Sequence, residues 1–274
     1  MTFEPLAATR LDYLHCRHGN SKLLFRGPKR RADGNHIAVL GGTETYGKFT
    51  ETPWPEMLEQ LAAGPTLNLA QMNAGLDVFL NDGAVQDICR HARVTVIEMS
   101  GAENLSNRYY AVHPRRNDRF LRASTLLRSA FPEIDFTEYN FTRHLLAGLR
   151  ATSPERFADV VAELKTAWAA RMKKLIGRIG GRVLLLWLSD HAPDAPVDDP
   201  LRHGNGLFID AAMIDSLRPL VSGVVEIVAD ADERKRGMDL MVFDEMDAPA
   251  ATEMLGPVVH KRAAREVAEA LRAL

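Results

Sequence analysis

Cysteine, long hydrophobic runs and an excess of charge of either sign are all scarce in this chain. Its 274 residues include 2 cysteines, Cys16 and Cys89, which cannot form a disulfide framework and have no neighbours at zinc-ligand spacing. We therefore expect reduced thiols and a cytoplasmic location. The most apolar segment, RVLLLWLS, is too short to span a bilayer, so we expect neither a membrane span nor a signal peptide. A net charge of −2 argues against a surface that coats nucleic acid.

What the chain does have is the composition of a globular protein, with 46% hydrophobic and 26% charged residues. Short apolar runs alternate with amphipathic stretches. Five runs are predicted as strands: HIAVLGG, TLNLA, RVTVIEMSG, RVLLLWLSDH and SGVVEIVAD. MDLMVFDEM is a candidate sixth strand at an edge. This alternation predicts an α/β protein, a three-layer α/β/α sandwich with a mostly parallel five- or six-stranded sheet.

The same sequence pattern predicts the domain organisation. Residues 1–34 are predicted to form an irregular basic extension, and residues 35–274 a single domain. Within that domain, residues 107–153 form an insertion that is rich in arginine and aromatic residues and has two helical stretches. A long amphipathic helix follows, and its Trp168 and Met172 are expected to face the core.

Polar residues cluster directly after the predicted strands, at residues 43–46, 71–77 and 103–108 and at Asp190-His191. In a parallel sheet with helices on both faces, ligands bind beyond the carboxyl ends of the strands. We therefore expect these side chains to border one crevice.

The glycine turn after the first strand, VLGGTETYG, has none of the patterns of a phosphate loop, a dinucleotide cradle or a G-x-S-x-G elbow. It resembles the first block, hGDSxTxG, of the SGNH (GDSL-like) hydrolases and acyltransferases. Gly41 matches the glycine, Gly42 stands where the family has aspartate, and Thr43 stands where it has the nucleophilic serine. The resemblance implies an SGNH-type, flavodoxin-like fold. With threonine at this position, the chain resembles an uncharacterised bacterial branch of that superfamily.

Three further blocks resemble the same family in order and spacing. NLAQMNAG resembles the second block, with Asn73 replacing a glycine and Gly75 matching the last one. VIEMSGAENLSN resembles the third, with Asn104 as the counterpart of the oxyanion asparagine. PVVHKRAAREVAEAL resembles the last, with His260 in the position of the base. The resemblance covers residues 36–106 and 256–272.

The resemblance implies acyl-transfer chemistry. Thr43 would attack an ester carbonyl, with His260 as the base. The backbone N–H groups of Thr43 and Gly75 and the side chain of Asn104 would bind the developing oxyanion. Pro257 stands where the family has the aspartate that orients the histidine. Three carboxylates are left open as its replacement: Glu103, Asp190 and Asp244. The favoured substrate is a carbohydrate O-acyl ester, and no metal or organic cofactor is implied.

The insertion opens with an arginine-rich segment, NRYYAVHPRRNDRFLRASTLLR. Arginine forks match carboxylate, sulfate or phosphate oxygens, so Arg108, Arg115 and Arg116 are predicted to bind an anionic part of the substrate. The alternative is a solvated face paired with acidic side chains. Four further side chains are assigned to substrate binding: Tyr46, Asn73, Asp190 and His191.

Two other functions compete with catalysis. A non-catalytic binding module would hold an anionic glycan or metabolite in the crevice and use Thr43 only as a hydrogen-bond donor. An assembly protein would dock a partner chain on the arginine segment, and a homo-oligomer stays open. Thr43 and Pro257 favour binding, whereas Asn104 and His260 favour an esterase or O-acyltransferase. The expected partner is a small molecule or glycan, with no role for nucleic acid or a membrane.

Overall fold

Strands and helices alternate along the chain, as predicted. A computed structural model describes residues 11–62, 64–196, 199, 201 and 204–274. The strands in these residues are β1 (Ile37–Leu40), β2 (Thr66–Asn68), β3 (Val94–Glu98), β4 (Tyr110–His113), β5 (Arg116–Ala123), β6 (Val183–Ser189) and β7 (Gly223–Val228).

The helices lie mostly in the connections between strands. They are α1 (Thr43–Tyr46), α2 (Trp54–Leu61), α3 (Leu76–Leu80), α4 (Gly83–Arg90), α5 (Thr125–Ala130), α6 (Thr142–Thr152), α7 (Pro154–Ile179), α8 (Ala211–Asp215), α9 (Ala231–Met238), α10 (Ala248–Ala251) and α11 (Gly256–Arg272). Across the described ranges, no helix combines the length and the apolarity that crossing a membrane requires.

The central sheet has the topology of a doubly wound fold. β2, β1, β3, β6 and β7 lie side by side in that order, and every neighbouring pair is parallel. Counted along the chain, these strands have the order 2-1-3-4-5, which is that of flavodoxin-like folds. The predicted three-layer α/β/α architecture with a mostly parallel sheet is therefore confirmed.

The candidate sixth strand, residues 238–246, is not a strand. The N–H of Val242 donates to the carbonyl of Phe49 and not to β7. Met241 and Phe243 pack with Phe49 in a small cluster apart from the main cores. The apolar pattern of this segment therefore reflects a packed loop, and the sheet has five strands among the described residues.

Helices cover both faces of the sheet. On β1, Leu40 joins the core that includes α3, α4 and α7, whereas Val39 joins the core that includes α2 and α11. Because both faces are buried, the strands are continuous apolar runs, which is the pattern that predicted them. Trp168 and Met172 on α7 are fully buried in the first of these cores, as expected.

The insertion at residues 107–153 contains two helices, as predicted, and also a β-hairpin that the sequence did not indicate. β4 and β5 pair in antiparallel fashion with register shifts. Charged and polar residues fill most of β5, so it does not alternate apolar and polar side chains as a typical strand does. Buried Asn117 on β5 instead accepts hydrogen bonds from the N–H groups of Gly75 and Val78, each at 3.1 Å. Those bonds tie the hairpin to the start of α3.

The N-terminal extension packs against the turn that follows α1. Residues 11–34 of it are described, and residues 1–10 lie outside the described residues. The buried guanidinium of Arg26 donates to the backbone carbonyls of Tyr46 (3.4 Å), Gly47 (2.5 Å), Thr50 (2.8 Å) and Glu51 (2.6 Å). A planar guanidinium can satisfy several carbonyls at once because its five N–H donors point in fixed directions. One basic residue of this extension is therefore a structural clamp.

We expect Arg26→Lys to lower the free energy of unfolding by about 2 kcal/mol, because an ammonium group cannot reach all four carbonyls and leaves some without a donor. Urea-induced unfolding measures this loss. Arg30→Lys is the matched control, since Arg30 is partly exposed and pairs with Glu59. A loss at Arg30 as large as that at Arg26 would contradict the clamp.

Candidate functional site

A cavity opens at the point where the strand order of the sheet reverses. β1 lies between β2 and β3, so the connections that leave β1 and β3 run to opposite faces and a crevice forms beyond their carboxyl ends. A cavity of about 280 Å³ lies in this crevice, and we call it the switch-point cavity. Its hydroxyl and amide groups come from Thr43, Asn73, Ser100, Asn104 and Asn205. Its ionisable side chains are Glu44, Glu103, Glu253 and Arg143.

Three of the residues assigned from the sequence meet in this cavity. Thr43 is the first residue of α1, and its Oγ1 accepts from the N–H of Asn73 at 2.9 Å and donates to the Asn73 Oδ1 at 3.1 Å. Asn104 Nδ2 donates to the Asn73 carbonyl at 3.4 Å, and Asn104 Oδ1 accepts from Thr142 Oγ1 at 2.6 Å. The glycine turn thus presents a hydroxyl to the cavity, next to two side-chain amides.

Gly75 does not contribute a free N–H group to the cavity, contrary to its predicted role. Its N–H donates to Asn117 Oδ1 at 3.1 Å, and it is not among the lining residues. A Cβ atom at this position would lie 1.5 Å from the carbonyl oxygen of Asn104. The close approach of the two loops is therefore what requires glycine here. The backbone N–H that donates to the Thr43 hydroxyl belongs to Asn73.

His260 is placed differently from the base that the family resemblance implies. It lies in the second turn of α11, is 1% exposed, and does not line the switch-point cavity. Its Nδ1 accepts from the backbone N–H of Trp54 at 3.0 Å, so the contact that orients the ring is a backbone donor and not a carboxylate. Burial, with a smaller contribution from the charge of Arg26, lowers the pKa of His260 to about 3. The ring is a neutral core group in this fold, and the predicted Thr43–His260 pair is not brought together.

The buried neutral state of His260 predicts a loss of stability in acid. Below pH 6.5 the unfolded chain binds a proton at this histidine, whereas the folded protein excludes that proton until about pH 3. The free energy of unfolding therefore decreases as the pH is lowered from 6.5 to 3. We expect a loss of about 2 kcal/mol between pH 6.5 and 5, from about 1.4 kcal/mol per pH unit.

Urea unfolding at several pH values measures this slope, and His260→Asn removes it because the Asn Oδ1 replaces the Nδ1 acceptor without titrating. His144→Asn is the control, since His144 is exposed and its ring contacts that of Tyr139 in a tilted arrangement. An acid slope that is unchanged in His260→Asn would overturn the assignment.

Tyr46 is buried beneath the N-terminal extension and does not line the cavity, contrary to its assignment to substrate binding. Its hydroxyl lies 2.9 Å from His15 Nε2, and its ring centroid is 5.3 Å from that of Tyr13. Burial raises the pKa of Tyr46 to about 12. Tyr46 therefore contacts the N-terminal extension through both its hydroxyl group and its ring.

The three arginines assigned to an anionic group also lie away from the cavity lining. Arg108 Nε pairs with Glu163 on α7 at 2.8 Å. Arg115 and Arg116 lie at the exposed turn of the hairpin, where their N–H groups donate to His113 Nδ1 at 3.3 Å and 3.2 Å. The insertion reaches the cavity instead through Arg143 on α6, which the sequence did not single out.

Asp190 and His191 support the cavity without lining it. They follow β6, and their Oδ1 and Nδ1 atoms lie 3.0 Å apart. Arg234 donates to the other Asp190 oxygen at 3.1 Å. Ser189 Oγ, which is 2.7 Å from His191 Nδ1, also donates to the carbonyl of Asn205 at 2.9 Å. The pair therefore helps to hold the loop that carries a lining residue.

Apart from Glu103, which was one of three candidate partners of the histidine, the buried carboxyl groups around the cavity were missed by sequence reasoning. Glu98 ends β3 and is almost fully buried; it accepts from the N–H groups of Gly42 at 3.0 Å and Thr45 at 3.1 Å, and from Asn205 Nδ2. It links the turn after β1 to a loop from the far side of the cavity. The available signal was a single acidic residue at the end of an apolar strand.

Burial also perturbs the ionisation of these groups. Desolvation, reinforced by the charge of Glu98, raises the pKa of Glu44 to about 8, and Glu44 Oε2 accepts from the N–H of Leu255 at 3.3 Å. Burial raises the pKa of Glu98 and of Glu103 as well, and in Glu103 the nearby Arg143 opposes the shift. Carboxyl groups with raised pKa values in a cleft are typical of functional sites. Among the described residues, no group of three or more His, Cys, Asp or Glu side chains could hold a metal ion.

The fold and the cavity define a doubly wound α/β protein with a polar candidate site at its switch point. Residues 1–274 match the family described as "Domain of unknown function (DUF6473)", and the chain belongs to that family. A search of curated proteins finds none that matches the chain.

Proposed function

We propose that this protein binds a small, hydroxyl-rich molecule of the carbohydrate type in the switch-point cavity. The observation that carries this proposal is the convergence of Thr43, Asn73 and Asn104, which follow three neighbouring strands, on one cavity of about 280 Å³. This volume is close to the lower end for small-molecule sites.

The hydrogen-bonding chemistry of the lining matches hydroxyl groups. A sugar hydroxyl both donates and accepts, and side-chain amides and hydroxyls offer both functions in return. Thr43 is linked to Asn73, and Asn73 to Asn104, so the three groups hold one another in fixed positions. Fixed donors and acceptors lower the entropic cost of ordering the site around a ligand.

Isothermal titration calorimetry with a panel of neutral monosaccharides and polyols tests the proposal. We expect at least one to bind, and Thr43→Val, which removes the hydroxyl and keeps the shape, to weaken binding at least tenfold. Thr152→Val is the matched control, since Thr152 is exposed on α6 and donates only to the Gly148 carbonyl. A panel without any binder, or equal binding by both variants, would contradict the proposal.

A second candidate is the cleavage or transfer of an O-acyl group on such a ligand. The observation that favours it is the position of Thr43 Oγ1, which meets the Asn73 N–H at 2.9 Å in the cavity that Asn104 also lines. Threonine can act as a nucleophile when a base is near. The resemblance to SGNH hydrolases supports this chemistry. The burial of His260 shifts the role of base to a carboxylate of the cavity, since none of the described lining residues is a histidine.

Release of acetate from acetylated monosaccharides distinguishes the two candidates. Acyl transfer predicts activity that Thr43→Val abolishes and that His260→Asn retains at pH 7, where both proteins are folded. Binding alone predicts no acetate release by any of the three proteins above that of buffer.

A further inference from the structure

Among the described residues that line the switch-point cavity, acidic side chains outnumber basic ones. Glu44, Glu103 and Glu253 line it, and Glu98 lies directly behind the turn after β1. Arg143 is the one cationic side chain among the described residues of the lining. The prediction of an anionic ligand depended on Arg108, Arg115 and Arg116, and these arginines do not line this cavity. The excess of acidic residues in the described lining disfavours ligands that carry carboxylate, sulfate or phosphate groups.

The carboxyl group of Glu103 is only partly satisfied by hydrogen-bond donors of the protein. Glu103 is one of the lining residues, it is 5% exposed, and within the described part of the chain its buried Oε2 has no hydrogen-bond partner. Its Oε1 lies 3.5 Å from Arg143 Nη2. That distance is long for a charge-assisted hydrogen bond, which is typically about 2.7–2.9 Å. The same Nη2 atom donates to the Gly204 carbonyl at 3.0 Å, so Arg143 is shared between two acceptors.

A buried carboxyl oxygen without a donor costs free energy, and charged groups cost more than neutral ones. A ligand can remove this cost if it brings a positive charge into the cavity. An ammonium group fits the site because it supplies three N–H donors, while the neighbouring amides and hydroxyls of the lining bind hydroxyl groups.

We propose that the occupant of the switch-point cavity carries a protonated amine beside its hydroxyls, as an amino sugar does, and that Glu103 determines this preference. The inference rests on the proposed function and narrows it from neutral or anionic sugars to cationic ones. Glu103 acts as a specificity residue that contacts the ligand's ammonium group, with Glu253 adding to the negative potential.

Calorimetric titration with four probes of one ring type tests the proposal at pH 6.5: glucosamine, N-acetylglucosamine, glucose and glucuronate. We expect glucosamine to bind at least tenfold more tightly than glucose or N-acetylglucosamine, and glucuronate to bind most weakly. In Glu103→Gln the advantage of glucosamine over glucose should fall below threefold while glucose still binds. Glu269→Gln, an exposed change on α11, should keep the wild-type ratios.

The outcomes separate this inference from the proposed function. Equal binding of glucosamine, glucose and glucuronate, or tighter binding of glucuronate, overturns the preference for an amine and leaves carbohydrate recognition standing. An unchanged preference in a folded Glu103→Gln overturns the role of Glu103.

If that variant fails to fold, the salt dependence of ligand binding by the wild-type protein tests the proposal instead. Affinity for glucosamine should then fall between 50 mM and 500 mM NaCl while affinity for glucose stays constant, and equal salt dependence overturns the proposal. Failure of all four probes and of the neutral panel removes both proposals.

Discussion

Replacing Glu44 with glutamine should raise the free energy of unfolding at pH 9 by about 4 kcal/mol and change it by less than about 1 kcal/mol at pH 5. The side chain is buried, and its pKa in the folded protein is about 8, against an ordinary value of 4.5. Between these two pH values the folded protein keeps a proton that the unfolded chain releases. Stability therefore falls as the pH rises from 4.5 to 8, and this contribution levels off above pH 8. Glutamine resembles the protonated acid, and its amide oxygen can still accept from Leu255.

Urea unfolding of the wild type and the Glu44→Gln variant between pH 5 and pH 9 measures this difference. Between pH 4.5 and 6.5 the contribution of His260 has the opposite slope, so in this window the contributions of Glu44 and His260 to the wild-type curve oppose each other. Glu98 contributes in the same direction as Glu44 and is present in both proteins. Parallel curves for the two proteins would show that Glu44 is ionised in the fold at neutral pH and would refute the prediction. Glu269→Gln provides the matched exposed control.

Replacing Glu98 with alanine should lower the free energy of unfolding by about 4 kcal/mol, since each buried donor left without an acceptor costs about 1–3 kcal/mol. Three donors depend on this carboxyl group: the N–H groups of Gly42 and Thr45, and the Asn205 side chain. The first two belong to the turn that presents Thr43, and the third lines the opposite side of the cavity. Loss of Glu98 should therefore also loosen the site.

Glu98→Gln is the informative partner of the alanine variant. One amide oxygen can serve both N–H groups of the turn, whereas the amide nitrogen faces the Asn205 nitrogen, so a loss of about 1–2 kcal/mol is expected. Chemical denaturation gives both values, and ligand titration reports on the cavity. If alanine and glutamine destabilise the protein equally, the hydrogen bonds to the turn do not carry the effect and the interpretation fails.

The sequence by itself determined the fold class and the position of the cavity. Strands that are buried on both faces are continuous apolar runs, and their alternation with amphipathic helices leaves a parallel sheet as the simple solution. The carboxyl ends of such strands meet at one edge, so polar residues after three of them had to lie close together. For this reason the sequence alone places Thr43, Asn73 and Asn104 in one site.

The tertiary structure decided which way individual side chains point and which distant segments meet. The resemblance to SGNH hydrolases implied that His260 is the base, but its place in the second turn of α11 directs it to the core, where Trp54 is its partner. Position 75 requires glycine because the loop at Asn104 approaches it closely. Sequence spacing cannot distinguish this packing requirement from a catalytic role. Arg143 reaches the cavity from the insertion at residues 107–153. The path of this insertion depends on the β4–β5 hairpin, whose sequence does not alternate apolar and polar residues. Helix phase, loop paths and burial are long-range outcomes of packing, whereas a local pattern specifies only which face of its own element is apolar.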